Sequence, residues 1–229
     1  MIRRPQILVV DDESQIQRFL KPALGAAGYE VVRAMDGGQA LAAIGVHAPD
    51  LIVLDLGLPD MDGKEVIGLV RRRSDTPIIV LSARGDEAEK IAALDLGADD
   101  YVAKPFGIGE LLARIRVALR AGRSGEVQAS VLSCGDLTVD LDAHRVIRAG
   151  EPVKLTPKEF ELLAALARAP GRVLTHRALL SRVWGASHAD DTQYLRVFIG
   201  QLRQKLEADP SEPKRLVTEP GIGYRLVSD

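Results

Sequence analysis

The sequence predicts two domains of different class: a doubly wound α/β domain of five strand–helix units, then an α+β domain closing with three helices and a β-hairpin. Three observations predict this. Short apolar runs at Ile7–Val10, Val31–Val32, Leu51–Leu54, Ile78–Leu81 and Tyr101–Ala103 recur at about the spacing of a βαβ repeat. Amphipathic stretches of helical length separate them, which implies a parallel sheet covered on both faces. Beyond residue 130 the pattern changes to four short strands, a strongly capped helix and a helix free of acids.

Length and composition agree with this division. A chain of 229 residues, 46% hydrophobic and 27% charged, suits two ordinary globular domains and excludes a fibrous or disordered one. No apolar run reaches the roughly 20 residues of a membrane span, and MIRRPQILVVDDE lacks the apolar core of a signal peptide, so a cytoplasmic protein with no membrane partner is expected. A single cysteine, Cys134, excludes an internal disulfide framework, and four scattered histidines offer no zinc spacing. Residues 1–122 carry 15 basic and 18 acidic side chains, and residues 123–229 carry 15 and 14. That asymmetry is weak, so a case for DNA binding rests on local pattern.

In the first domain Asp36 and Asp62 are expected to cap helices, and Pro22 to kink the first one. The polar residues closing the apolar runs carry the chemistry. Run one ends in Asp11–Asp12–Glu13, run three in Asp55, run four in Ser82 and run five in Lys104–Pro105. Open α/β sheets bind ligands beyond the carboxyl ends of their strands, so Asp11, Asp12, Asp55, Ser82 and Lys104 should surround one pocket. Clustered carboxylates repel unless a cation sits among them, and an all-oxygen donor set suits Mg²⁺. A carboxylate there can attack phosphorus, a lysine and a divalent ion can neutralise the phosphoryl oxygens, and the Ser82 hydroxyl can bond the product.

The segments VVDDE, LIVLDLGLPDMDG, IIVLSAR and ADDYVAKPF resemble the signatures of two-component response-regulator receiver domains, which are CheY-like (βα)5 folds. The resemblance spans residues 5–121 and implies Asp55 as phosphoacceptor for a sensor histidine kinase. It implies Mg²⁺ held by Asp12 and Asp55 carboxylates, the Gly57 carbonyl and Asp11 through water. It further implies Lys104 pairing with the phosphoryl group, a cis bond before Pro105, and Ser82 with Tyr101 as the switch pair. On its residues alone, Tyr101 is an ordinary strand aromatic.

EKIAALDLGADD and GELLARIRVAL each present a charged stripe around a small apolar patch, the pattern of a solvated helix. In the transcription factors this sequence resembles, the matching positions form a two-fold dimer face. The resemblance implies Lys90–Glu110, Asp95–Arg116 and Asp100–Arg114 pairing between copies around Ile91, Leu94 and Ala113, as a self-complementary contact requires. Exposed pairs of this kind contribute about 0–1 kcal/mol each and set register more than affinity.

Residues 122–130 (GRSGEVQAS) read as a linker between a domain of residues 1–121 and one of residues 131–229. Strands are expected at Val131–Cys134, Leu137–Asp140, Arg145–Ala149 and Glu151–Leu155. Thr156–Pro157–Lys158–Glu159 is a capping box opening a helix with a buried stripe at Phe160, Leu163, Ala164, Leu166 and Ala167. Thr175 should cap a second helix ending near Trp184–Gly185. From Thr192 to Leu206 a third helix places Leu195, Phe198, Ile199, Leu202 and Leu206 on one side. Gln193, Val197, Gly200, Gln201 and Gln204 lie opposite, flanked by Arg196 and Arg203. Amide side chains can pair with adenine, glycine permits close approach to a groove, and arginine suits phosphate or guanine.

Pro220–Gly221–Ile222–Gly223 lies between two apolar segments and reads as a hairpin carrying Arg225, which makes a winged helix whose wing can enter a minor groove. The long 185–191 connection, the four-stranded entry and GIGYRL resemble the OmpR/PhoB-type effector domain over residues 130–227. In that family the long loop can face RNA polymerase. YLRVFIGQLRQKLEADP and TEPGIGYR, with segments of the first domain, are similar to the KdpE-type subfamily of potassium-uptake regulators, implying a KdpD-like kinase and a kdp-type promoter. Two rivals stay open at this point. One is a Mg²⁺-dependent phosphatase using Asp55, against which Gly57 stands where such enzymes place a second acid. The other is a protein-docking output in place of DNA.

Overall fold

The computed structural model describes residues 3–83, 87–123 and 130–227. It separates into two compact units, residues 1–123 and 124–229. Most of the expected 122–130 linker lies outside the described residues, and the last helix of the first unit runs to Arg123.

In the first unit strands β1 (Gln6–Val10), β2 (Glu30–Ala34), β3 (Leu51–Asp55), β4 (Ile78–Ala83) and β5 (Asp100–Lys104) alternate with helices α1 (Ser14–Ala26), α2 (Gly37–His47), α3 (Gly63–Arg71), α4 (Glu87–Asp95) and α5 (Ile108–Arg123). All four strand pairings are parallel, in the order β2-β1-β3-β4-β5. The direction of strand order reverses between β1 and β3, the crevice where such sheets take ligands. Ile7–Val10, Leu51–Leu54 and Ile78–Leu81 are all fully buried, because helices cover both faces and leave no polar side to alternate with. Asp36 and Asp62 cap α2 and α3 by accepting from the backbone N–H groups of Gln39 and Lys64. Pro22 lies inside α1, which is continuous from Ser14 to Ala26.

The second unit opens with an antiparallel meander of β6 (Val131–Cys134), β7 (Leu137–Asp140), β8 (Arg145–Arg148) and β9 (Glu151–Val153). Ala149 and Gly150 turn β8 into β9 with φ of 49° and 85°, the positive values a two-residue hairpin requires. The last two strands end earlier than the sequence pattern suggests. Helices α6 (Pro157–Ala167), α7 (His176–Trp184) and α8 (Thr192–Leu206) follow, with a short 3₁₀ turn at Ala186–His188. Thr156 and Glu159 form the reciprocal capping box, and Thr175 caps α7.

Two features depart from the sequence reading. Helix α6 is buried on most sides, including Leu162 and Ala165, because α7, α8, β6 and β12 pack around it and leave only a narrow exposed strip at Pro157, Lys158 and Glu161. The wing is three-stranded: β12 (Gly223–Leu226) pairs with both β11 (Leu216–Glu219) and β10 (Val173–Thr175). A Cβ on Gly223 would lie 1.9 Å from the Leu174 carbonyl oxygen, so only glycine lets these strands meet there. The core gathers Leu137, Val146, Leu163, Leu180, Leu195 and Leu202 among its fully or almost fully buried residues.

Candidate functional site

Strand ends bring the acidic residues together. Asp11 and Asp12 follow β1, and Asp55 ends the adjacent β3. Their carboxylate oxygens all lie within 4.8 Å of one another. Asp11 is fully buried, Asp55 is half-buried and Asp12 is exposed. Lys104, at the end of β5, reaches over the sheet edge to three acids, with Nζ 3.0 Å from Asp11 Oδ2, 3.0 Å from Glu13 Oε1 and 3.2 Å from Asp55 Oδ1. The Lys104–Pro105 peptide bond is cis.

Two glycines shape the loop after β3. A Cβ at Gly63 would fall 2.6 Å from the Asp55 carbonyl oxygen, so α3 can start this close to the pocket only from glycine. Gly57 lies beside the pocket, where a Cβ would be 3.7 Å from Asp55 Oδ2. Asp60 straps the same loop to α2, accepting from the N–H groups of Gly37 at 2.8 Å and Gly38 at 2.9 Å.

The electrostatics follow from burial. Loss of water raises the Asp55 carboxyl above its ordinary value, and Asp12 adds to this while Lys104 opposes it. Asp11 is raised for the same first reason, with Lys104 and the Glu13 N–H group acting against it. Burial pulls the Lys104 ammonium down, yet Asp11, Glu13 and Asp55 outweigh it and hold the proton more tightly than in a free lysine. Three converging carboxylates make a hard, all-oxygen donor set, which fits Mg²⁺. Acids under this desolvation strain are those a divalent cation relieves. Ser82 is 3% exposed, and its Oγ has no hydrogen-bond partner among the described residues, leaving a buried donor ready for a new acceptor.

Tyr101 is half-buried on β5, with Lys90 Nζ 5.2 Å and the Arg114 guanidinium 5.9 Å from its ring centroid. On the α4–β5–α5 face, Asp95, Glu110, Ala113 and Arg116 are exposed, and Lys90 and Ile91 are half-buried. Three residues of this face are engaged within the single chain. Leu94 and Asp100 are 8% and 4% exposed, held by packing within their own unit. The expected partner pair Asp100–Arg114 forms inside one chain, Arg114 Nη1 lying 3.0 Å from Asp100 Oδ1 while Nη2 meets Glu110 at 3.0 Å.

In the second unit, α8 buries Leu195, Ile199, Leu202 and Leu206 and turns Gln193, Val197, Gly200, Gln201 and Gln204 to solvent. Arg196 is exposed on the flank, within hydrogen-bonding reach of Tyr224. A groove of about 450 Å³ between α8 and the wing is lined by Arg196, Gly200, Arg203, Thr218, Gly221 and Tyr224. Arg203 is partly committed elsewhere: Nε and Nη2 donate to the Leu216 carbonyl, and Nη2 also to Thr218 Oγ1. Arg225 is 8% exposed in the free chain, where its guanidinium pairs with Glu219 at 2.8 Å and donates to the Gly171 carbonyl, bracing the base of the wing.

Sequence reasoning missed the residues that fix these parts. Glu13, Gln17 and Asp60 hold the acidic loops, and Glu207 accepts from the N–H groups of Lys214, Arg215 and Leu216 ahead of β11. Glu13 closes the first apolar run, while Gln17, Asp60 and Glu207 follow no strand end, so the sequence carries no comparable signal for them.

Known proteins match this geometry. Residues 7–116 match the response regulator receiver domain family, and residues 150–226 match the family described as transcriptional regulatory protein, C terminal. The chain is 51% identical over 221 residues to the KDP operon transcriptional regulatory protein KdpE of Escherichia coli (strain K12), covering 96% of this chain and 98% of that protein. It is 44% identical over 222 residues to the DNA-binding response regulator MtrA of Mycolicibacterium smegmatis, covering 97% and 96%. Among solved structures it is similar to the response regulator DrrB, a Thermotoga maritima OmpR/PhoB homolog, with a TM-score of 0.52, 31% identity and coverage of 99% and 100%.

A phosphoryl-type acidic pocket joined to a winged helix defines a response regulator, and the chain belongs to the OmpR/PhoB-type DNA-binding response regulators. Its relatives are transcription factors, not enzymes, which removes the phosphatase alternative. Phosphorylation, homodimerisation, a cognate histidine kinase and promoter DNA are typical of the family. Among the described residues, no helix is long and apolar enough to cross a membrane.

Proposed function

We propose that this chain is a cytoplasmic regulator of potassium-transport genes, phosphorylated on Asp55 by a KdpD-like sensor histidine kinase. The observation that carries the phosphoacceptor assignment is the convergence of the Asp11, Asp12 and Asp55 carboxylates within 4.8 Å, with Lys104 Nζ 3.2 Å from Asp55. Asp11, Asp12, Asp55 and the Gly57 carbonyl would hold Mg²⁺, which supplies positive charge to the oxygens of the transferring phosphoryl group. The Asp55 carboxylate attacks phosphorus as the donor's bond to phosphorus breaks, giving an acyl phosphate. Lys104 pairs with the phosphoryl oxygens, and the unpartnered Ser82 hydroxyl donates to one of them.

Movement of Ser82 leaves room for Tyr101 to turn inward, away from its cationic neighbours Lys90 and Arg114. The α4–β5–α5 face then favours the dimer, in which Lys90–Glu110, Asp95–Arg116 and Asp100–Arg114 pair between copies around Ile91, Leu94 and Ala113, Arg114 exchanging its contact within the chain for one across the interface. Phosphate shifts an existing equilibrium by its preference for one conformer, so unphosphorylated protein binds DNA more weakly but still binds. Pairing places two copies of α8 on tandem half-sites, with Gln193, Arg196, Val197, Gly200, Gln201 and Gln204 toward the major groove and Arg203 at its phosphates. The 185–191 connection faces RNA polymerase.

The potassium assignment rests on 51% identity to a protein named for the KDP operon, against 44% for MtrA. A different regulon is the second reading, favoured by the closeness of that MtrA match. Incubation with acetyl phosphate and Mg²⁺, followed by mass spectrometry, tests the chemistry: a single phosphoryl label is expected, absent from Asp55→Asn. Footprinting on the organism's own potassium-transport promoter tests the regulon, with protection that strengthens on phosphorylation. An unlabelled wild-type protein, or an unprotected promoter, refutes the corresponding half.

A further inference from the structure

The α1 residue Gln17 is 2% exposed, yet it is polar and lies in the first turns of a helix that otherwise turns leucines inward. The two hydrogens of its amide nitrogen are shared among three backbone carbonyls: Val9 at 3.1 Å, Asp11 at 3.1 Å and Ala34 at 2.9 Å. These belong to the end of β1, to the first acid of the pocket and to the end of the neighbouring β2. The Asp11 N–H group itself donates to the Ala34 carbonyl, so Gln17 and Asp11 share one anchor.

Asp11 is consequently held on every side. Its N–H meets β2, its carbonyl meets Gln17, Oδ1 accepts from the Glu13 N–H at 2.8 Å, and Oδ2 accepts from Lys104 at 3.0 Å. Gln17 has its other amide atom, Oε1, buried with no hydrogen-bond partner among the described residues. A buried carbonyl without a donor is unfavourable, and an apolar residue would avoid it. A packing role alone gives no reason for glutamine here. Holding strand-end carbonyls that water cannot reach gives one.

We infer that Gln17 is a positioning residue for the acidic pocket: its side-chain nitrogen fixes the backbone of Asp11, and so the aim of Asp11 and Asp12 toward a divalent cation. This rests on the phosphoacceptor reading of Asp55. Gln17 touches neither the metal nor the phosphoryl group, and acts through the Asp11 backbone as supporting hydrogen bonds act on metal ligands elsewhere.

The test uses the full chain, with Gln17→Met to remove the donor at similar size and Gln17→Glu to keep shape without N–H. Magnesium affinity is read directly from backbone amide shifts in an NMR titration with MgCl2. Expected is a dissociation constant raised roughly tenfold in both variants. The acetyl phosphate reaction at saturating Mg²⁺ should stay within about twofold of wild type, since the reacting groups are unchanged. A general loss of structure would lower that ceiling as well.

Wild-type protein supplies a measurement that needs no variant to fold. The Gln17 side-chain amide resonances should shift during the titration with the same half-saturation as the backbone amides of Asp11 and Asp12. Static Gln17 resonances, or a Gln17→Met protein with wild-type magnesium affinity, overturn the inference. Wild-type protein that binds no Mg²⁺ refutes instead the phosphoacceptor reading beneath it.

Discussion

Replacing Glu207 by alanine removes the acceptor of three backbone N–H groups at once. Its Oε1 takes the N–H of Leu216 at 2.7 Å and of Arg215 at 2.9 Å, and Oε2 takes Lys214 at 3.3 Å. Glu207 is 8% exposed, and of the three bonds the one to Leu216 is fully buried. An orphaned buried donor costs about 1–3 kcal/mol, and the two half-buried amides, which can turn to water, add about 0.5–1 each. The expected loss is roughly 2–5 kcal/mol, or a fall in Tm of roughly 8–40 °C for a unit of this size.

The sole tryptophan makes the assay specific to the second unit. Trp184 packs edge-on against Tyr194 and Phe198, with centroids 5.4 and 5.1 Å away, so its fluorescence follows the unfolding of that unit. Glu207→Gln keeps one acceptor oxygen and should lose about half as much. Because Glu207 ends α8 and pins the chain entering β11, operator affinity should fall with Glu207→Ala even well below the melting temperature. A Tm change under about 3 °C, or identical melts for the two variants, would refute the reasoning.

Three further outcomes are expected. Arg196→Ala should lower the slope of log K against log salt by roughly 0.9 per copy bound, as loss of one phosphate contact does, measured by fluorescence anisotropy on a duplex. Arg225→Ala should leave that slope unchanged but destabilise the second unit by about 3 kcal/mol, because Glu219 keeps a largely buried charge with its partner gone. The Glu159 carboxyl is pushed up by burial, but Lys205 and the Thr156 N–H group outweigh this and hold it below its ordinary 4.5. A depressed folded value contributes stability above the unfolded one and loses it as pH falls through the folded one. Urea midpoints of the wild type should therefore drop more steeply below pH 4.5 than those of Glu159→Gln; parallel curves would contradict the assignment.

The first domain is legible because its signals are local. Strands buried on both faces write themselves as apolar runs, and the residue after each run lands at the ligand crevice, which is how Asp11, Asp55, Ser82 and Lys104 become visible together. Helix α8 is equally plain, since its 3.6-residue period separates leucines from glutamines. What the sequence hides is long-range. Strand β10 has three residues and pairs with β12 about fifty positions later, so no window around Val173 contains its partner. Arg225 carries the composition of a DNA contact, and only the fold puts Glu219 and Gly171 around its guanidinium. Gln17 and Glu207 act through backbone groups that any sequence would supply, so their roles have no residue pattern to betray them.

Lys104 serves as a tethered electrolyte. With its ammonium shared among Asp11, Glu13 and Asp55, the sheet end carries part of its own counter-charge and leaves the remainder to a divalent cation.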